Sequence, residues 1–425
     1  MKRLLLAVLA CACREQPEPT PTIEVASYAA VPSTKLDVLF QIDNSASVSD
    51  LQVTLASAFP LLLDRIGDLD LHIGVVTSDL GTSATTGDPA PMIGSPGQGG
   101  CVDHGDDGVL QTTGAPVTDP YIVDENDGLG GRRTNYTGDI ATVLGQMVRV
   151  GSGGCGFEQP LAATKRALVN NANTGFTRND ANLLVVMLMD EDDCSVRDPA
   201  LFGPASEALG PQSSFRCTQF GLECDQPIDE VGEKTNCHPR ADSPYVDDIA
   251  PFVDAMRTVR GDPARVAVTA IAGPPIVSIE ERVGPGGGAP ELALVHSCAS
   301  LPETGVNAAA PAVRIAAVVD ELAPNSAFEP VCNADFSSAV ANVARVADGL
   351  RGIICLDPAR VGTEPACSVT LESLDGETQL SLCPAAGDCF EIVDDVEACG
   401  DRPRLLVHLA SPTADQYVRA RCELR

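Results

Sequence analysis

The sequence predicts an α/β protein, a doubly wound and mostly parallel sheet with long disulfide-rich insertions, followed by a small C-terminal β-rich unit. Three observations predict it. From Lys35 to about Gly349 apolar runs alternate with helical patterns, the rhythm of a parallel sheet covered by helices. Sixteen cysteines occur in 425 residues, fourteen of them beyond Cys13, and in an exported chain that even number suggests up to seven disulfides. After Cys355 short alternating runs take over, and Cys367, Cys383, Cys389, Cys399 and Cys422 come densely.

The N-terminus predicts export. Lys2 and Arg3 precede the apolar stretch Leu4 to Ala10, as in a secretory signal over residues 1–10. Seven apolar residues are too few to span a bilayer, which needs about 20 in a helix. Val8-Leu9-Ala10-Cys11 resembles the lipobox of bacterial lipoproteins. The resemblance implies a diacylglycerol on Cys11, with Cys13 as the alternative, and a chain anchored to the bacterial envelope on the outer-membrane, periplasmic or cell-surface side. Residues 11–34 open with alternating Pro17, Pro19 and Pro21 and are expected to form an extended tether.

The large domain is expected over residues 35–350. Val38 to Ile42 reads as a strand buried on both faces. Leu51, Leu55, Phe59, Leu62 and Ile66 then repeat at helical spacing around Pro60, where a kink is expected. Leu71 to Val76 reads as a second strand, Leu161 to Val169 as a helix, and Leu183 to Met189 as the most apolar strand. Asp247 to Val259 and Arg265 to Ala272 form a further helix and strand, and Phe336, Val340, Val343 and Ala347 stripe a final helix. Stretches near 80–135, 192–246 and 273–311 are rich in Gly, Pro, Asp and Cys and show no period; at that length, loops are functional or cross-linked. Residues 351–425 read as a small Cys-rich β unit, of a size at which a core alone is marginal.

A net charge of −31 and a pI near 4.3 exclude nucleic acid as a partner and weigh against electrostatic adhesion to anionic lipid. Cys217, Cys224, Cys237 and His238 could supply four zinc ligands, but their spacing contains no Cys-x2-Cys knuckle and disulfides are favoured.

The sharpest motif is Asp43-Asn44-Ser45-Ala46-Ser47, directly after the first strand. A carboxylate and two hydroxyls at alternate loop positions are hard donors suited to Mg²⁺, Mn²⁺ or Ca²⁺. Asp190, in Met189-Asp190-Glu191-Asp192-Asp193, follows the most apolar strand and is expected at the same edge of the sheet, where such folds bind ligands. This pair resembles the metal-ion-dependent adhesion site of the von Willebrand factor A domain, over roughly Lys35 to Gly349. The resemblance implies that Ser45 and Ser47 ligate the cation directly, that Asp43 and Asp190 complete the shell, and that Mg²⁺ is favoured. The family also places a threonine in a loop between the two motifs. Here that stretch is Gly153-Gly154-Cys155-Gly156-Phe157-Glu158-Gln159-Pro160-Leu161, with Cys155 nearest the position and Glu158 the nearest hard oxygen donor.

Each residue also has a plainer reading. Asp43 and its serines could cap a helix, Asp190 could sit in a solvated acidic turn, and Glu158 could be a helix N-terminal carboxylate. Cys101 to Gly108 reads as an ordinary acidic loop, and Asp124 to Gly128 misses the EF-hand pattern. Val283 to Gly288 lacks the Lys-Ser/Thr of a phosphate loop. His72, His104, His238, His296 and His408 are scattered, and neither G-x-S-x-G nor H-E-x-x-H occurs. A non-enzymatic binding role is therefore expected, in which a partner protein's carboxylate or other oxygen ligand completes the cation's coordination, in adhesion or assembly of a surface complex. The alternatives are a structural lipoprotein that binds through its long loops, its metal site degenerate, and, less favoured, a metal-dependent hydrolase.

Overall fold

The computed structural model describes residues 21–283, 288–301, 306–384 and 387–424. The expected signal, Cys11 and Cys13, and the first part of the tether lie outside these residues. The main unit contains β1 (Lys35–Ile42), α1 (Ser49–Ile66), β2 (Asp70–Thr77), β3 (Ile122–Asn126), β4 (Arg132–Thr134), α2 (Ile140–Met147), α3 (Pro160–Val169), β5 (Asn182–Leu188), α4 (Ala250–Thr258), β6 (Val266–Ala272), α5 (Val313–Glu321), β7 (Ser326–Pro330) and α6 (Ser337–Gly349). Its seven-stranded sheet has the order β7-β6-β5-β1-β2-β3-β4.

Five strands, β7 through β2 in that order, are parallel. β3 runs antiparallel to β2, and β4 to β3, so the sheet is mixed. The two antiparallel strands come from the stretch near 80–135 that was expected to be aperiodic. They are short, and every residue of β4 is exposed, so no apolar alternation marks them.

β5 and β6 are buried at every position because helices cover both faces of the sheet. On one face Leu51, Leu55 and Phe59 of α1 meet Val143 of α2 and Val340 and Val343 of α6. On the other, Leu161 of α3, Phe252 and Met256 of α4 and Ile315 of α5 pack on Leu39, Val185 and Val268. β1 sends Val38 and Phe40 to the first core and Leu39 to the second, the alternation a strand imposes. α1 runs through Pro60 unbroken.

The fourteen cysteines of the described residues form seven disulfides. Cys101–Cys155, Cys194–Cys217, Cys224–Cys237 and Cys298–Cys332 staple the insertions. Cys217 and Cys224 thus have different partners, and no zinc set remains.

The second unit has two four-stranded sheets around Val369, Phe390, Leu405 and Val418, stapled by Cys355–Cys399, Cys367–Cys422 and Cys383–Cys389. It corrects the expected tether. Thr22–Ala29 is a strand paired antiparallel with Tyr417–Glu423, and Ala26 and Tyr28 lie in this core. The prolines that promote extension end at Pro21, and the next residues are β-formers facing inward at alternate positions. The unit is thus closed by Thr22–Ala29, which precedes the main unit in sequence, paired with Tyr417–Glu423.

Candidate metal centre

Two neighbouring strands bring the predicted residues together. β1 and β5 run parallel with Ile42 opposite Leu188, so the chain leaves both at one edge of the sheet. The Asp43 N–H donates to Leu188 O at 3.0 Å, and the Met189 N–H donates to Ile271 O of β6 at 3.0 Å. Asp43 and Asp190 are thereby seated side by side.

The loop after β1 is shaped by its own side chains. Asp43 Oδ1 accepts the Ser45 N–H at 2.7 Å, and Ser45 Oγ lies 3.3 Å from Ser47 Oγ. Gln52 Nε2 donates to Asp43 O and to Gly151 O, both at 2.8 Å, which clamps this loop to the one before α3. The N-cap of α1 is Val48, with no side-chain cap; helix capping therefore does not account for Asp43, Ser45 and Ser47. Asp43 and Ser45 are buried while Ser47 is exposed, so the group opens to solvent on the Ser47 side.

Asp43 Oδ2 and Asp190 Oδ1 are buried and without a hydrogen-bond partner. Such atoms are costly unless something pairs with them. Burial, then the charge of Asp190, pushes the Asp43 carboxyl well above the usual range. Burial also raises Asp190, offset by the Ser47 hydroxyl and by the Asp43 carboxyl, which can hydrogen-bond to it only when one of the two is protonated. Glu158, 2% exposed, is raised well up by burial and then by Glu191, Asp43 and Asp190. Glu191 completes the group: burial and the charge of Asp190 push it up to about 7, against hydrogen bonds from Glu158 and Ser214.

Glu158 does not cap α3, and Asp190 does not sit in a solvated turn. The free amides at the start of α3 are taken by others: Leu161 N–H donates to Asp193 Oδ1 at 3.0 Å and Ala162 N–H to Ser195 Oγ at 2.9 Å. Asp193 also pairs with the buried Arg314 at 3.0 Å. Asp192 accepts the Arg314 and Ile315 amides that open α5. The acidic run is therefore divided. Asp190, 3% exposed, and Glu191 face the cluster, while Asp192 and Asp193 hold helix ends.

Cys155, nearest the family's threonine position, is bonded to Cys101 and is no ligand. Gly154 N–H donates to Asn44 O at 2.8 Å, and a Cβ on Gly154 would lie 2.2 Å from Asn44 Oδ1. Only glycine lets the two loops approach so closely. Asp106 accepts from Thr77 Oγ1 at 2.6 Å and Asn44 Nδ2 at 3.4 Å, so the loop from Cys101 to Gly108 braces the site from outside. Asp124 pairs with Arg132 at 2.6 Å, away from any cation role.

Among the described residues no group of three or more His, Cys, Asp and Glu side chains is arranged as a metal site. A cation at this edge would draw on the Ser45 and Ser47 hydroxyls beside the carboxylates of Asp43 and Asp190, with Glu158 near them. That donor set fits a hard divalent ion, and the two unpartnered oxygens are where its charge is called for. Sequence reasoning missed Glu191 and Gln52. The signal for Glu191 was its place beside Asp190; Gln52, next to Leu51 on an apolar helix, carried none.

No protein-family model matches the chain, and no curated protein matches it. Among solved structures it is similar to the human COPII-coat protein Sec24c, with a TM-score of 0.30 and 8% identity over 95% of this chain and 41% of that one. The chain thus spans less than half of that protein, and a likeness this low carries no argument about fold or function.

Proposed function

We propose that this is an exported, lipid-anchored protein of von Willebrand A type that captures a partner protein through a divalent cation held by Ser45, Ser47, Asp43 and Asp190. The observation that carries the reading is the pair of buried, unpartnered oxygens, Asp43 Oδ2 and Asp190 Oδ1, at the carboxyl edge of adjacent parallel strands. Five parallel strands between two helical layers support the doubly wound architecture, and the antiparallel edge pair departs from it. Once bound, the cation supplies a Lewis-acid position for a partner's carboxylate or other oxygen ligand. The chain's own residues bury one side of that position and leave the Ser47 side open. Mg²⁺ is the favoured ion, with Mn²⁺ and Ca²⁺ as alternatives. Seven disulfides support an oxidising compartment, and an acyl chain on Cys11, or on Cys13, would anchor the protein there.

Calorimetry with Mg²⁺ and Mn²⁺ should show one saturable site, lost in Asp43→Ala, and partner capture from envelope extracts should fall with chelator. Capture that persists in both would favour the second reading, a structural lipoprotein binding through its loops. The observation on that side is the carboxyl of Glu158 buried beside the site, since an extra anion weakens the cation's pull on a partner. Intact mass should show acylation at Cys11; a mature chain without lipid would end the anchor proposal.

A further inference from the structure

Beside the carboxylates lies a cleft of about 350 Å³ whose lining includes Glu191 and Ala310. The Ala310 N–H donates to Asp190 O at 2.8 Å, so a wall of the cleft is tied to the backbone of a site residue. Its long wall is the strand Pro290–Leu294, which stands at the end of a three-stranded sheet and pairs on one side only, with Ser278–Val283. Glu291 to Leu294 of this strand line the cleft, together with Arg282 and Val283 of its neighbour.

The register says which groups point there. Val295 N–H donates to Ser278 O at 2.9 Å, so residues 278 and 295 are a hydrogen-bonded pair. In an antiparallel ladder bonded and non-bonded pairs alternate, which makes Ile279/Leu294 and Glu281/Leu292 non-bonded. Leu292 and Leu294 therefore turn their backbone groups outward. Arg282 takes Leu294 O at 3.0 Å. The Leu292 N–H and C=O and the Leu294 N–H have no strand partner among the described residues.

We propose that an extended segment of a partner protein docks here as an added strand and delivers one acidic side chain to the cation; this rests on the cation site proposed above. Backbone pairing to a free sheet edge is a general mode of peptide capture. Pro290 and Glu291 guard the start of the edge against self-pairing and leave Leu292 to Leu294 open. Phe215, Leu292 and Leu294 offer apolar contact and His296 polar contact beside Glu191 and Glu291, while Arg282 is paired with Glu280. With a net charge of −31 on the chain, a segment bearing a single acid among apolar and hydroxyl residues fits better than a polyacidic one.

The test uses the exported chain and a fluorescein-labelled peptide, Val-Thr-Asp-Thr-Val, read by anisotropy in Mg²⁺ or Mn²⁺. Affinity should fall about tenfold or more when Asp is replaced by Asn, and likewise when alternate peptide amides are N-methylated. Leu292→Pro, which removes an outward N–H and spares the ladder, should weaken the peptide similarly and leave calorimetric cation binding unchanged. If chelator abolishes binding but N-methylation and Leu292→Pro do nothing, strand docking is wrong and the cation reading stands. If N-methylation abolishes binding but chelator and the Asn peptide do nothing, the cation reading fails and the acidic anchor with it. No binding by the Asp peptide at millimolar concentration overturns the proposal.

Discussion

Buried carboxylates stand at both ends of the same parallel strands, and the two ends treat them in opposite ways. At the amino end Asp37 of β1, 0% exposed, is enclosed by the protein's own cations. Arg178 Nε lies 2.8 Å from Oδ1, Arg260 Nη2 lies 2.7 Å from Oδ2, and the Arg178 N–H donates to Oδ2 at 2.7 Å. At the carboxyl end, Asp43, Glu158, Asp190 and Glu191 meet no Arg or Lys ion pair among the described residues, and the cations and dipoles acting on them reduce to hydroxyls, amides and His296. The fold can bury a carboxylate when it brings the counter-charge. Where it brings none, a proton or an ion from outside must supply it.

The largest effect should separate the two ends by stability alone. Arg260→Ala leaves Asp37 with Arg178 as its remaining charge partner in a buried site, and the loss should be roughly 3 kcal/mol, the lower end of what breaking a buried pair costs. Denaturant unfolding should show that loss, and Mg²⁺ should not restore it. A loss below about 1 kcal/mol would mean that Asp37 does not depend on its pair. The second effect belongs to the other end. A ligand that binds only the folded state stabilises it by about 2.7 kcal/mol at a hundred times its Kd. Thermal unfolding of the native chain should rise accordingly with Mg²⁺ and return with chelator, whereas Asp43→Ala should show no rise.

A third contrast is in pH. Glu191 is raised from 4.5 to about 7, so without cation the folded chain holds this proton more tightly than the unfolded one. Stability from that group is fully present below 4.5 and is lost as pH rises through about 7. Asp192, raised from 3.8 to about 6 by burial against the α5 amides and Arg314, adds a loss of the same sign. Denaturation midpoints in chelator should therefore fall across this window, and cation affinity should weaken as pH drops below about 7 because protons compete for Glu191. Midpoints that rise with pH in chelator would contradict the cluster's geometry.

Much of the carboxyl end was legible because it is local. Asp43, Ser45 and Ser47 follow an apolar strand, Asp190 follows another, and parallel pairing of those strands brings them to one edge. The amino end was not. Asp37 interrupts an apolar run with no nearby signal of Arg178 or Arg260, whose approach depends on long-range packing. The same limit hid the strand Thr22–Ala29, whose partner lies at Tyr417–Glu423, and the hairpin of β3 and β4, which is too short and too polar to show a period. The division of the acidic run after β5 was hidden for a related reason. A solvated turn and a set of helix-end ligands have the same sequence, and only the arrival of α3 and α5 distinguishes them.

The smallest predicted effect is the most diagnostic for the carboxyl end. Glu158→Gln keeps the shape of the side chain and removes one of four neighbouring ionisable carboxyls. In chelator the remaining carboxylates repel less, so the denaturation midpoint should rise slightly. With Mg²⁺ present the sign should reverse. An amide oxygen is a weaker donor than a carboxylate, and cation affinity should fall by about tenfold, the lower end of what lost support costs at metal sites. A purely structural Glu158 would show no such reversal, because its removal would act alike in both conditions. If calorimetry finds unchanged affinity while the chelated protein is stabilised, Glu158 is a repulsive neighbour and the cation rests on Ser45, Ser47, Asp43 and Asp190 alone. If affinity falls while stability in chelator rises, Glu158 is itself a ligand, and its charge gives the ion a tighter hold and less pull on a partner.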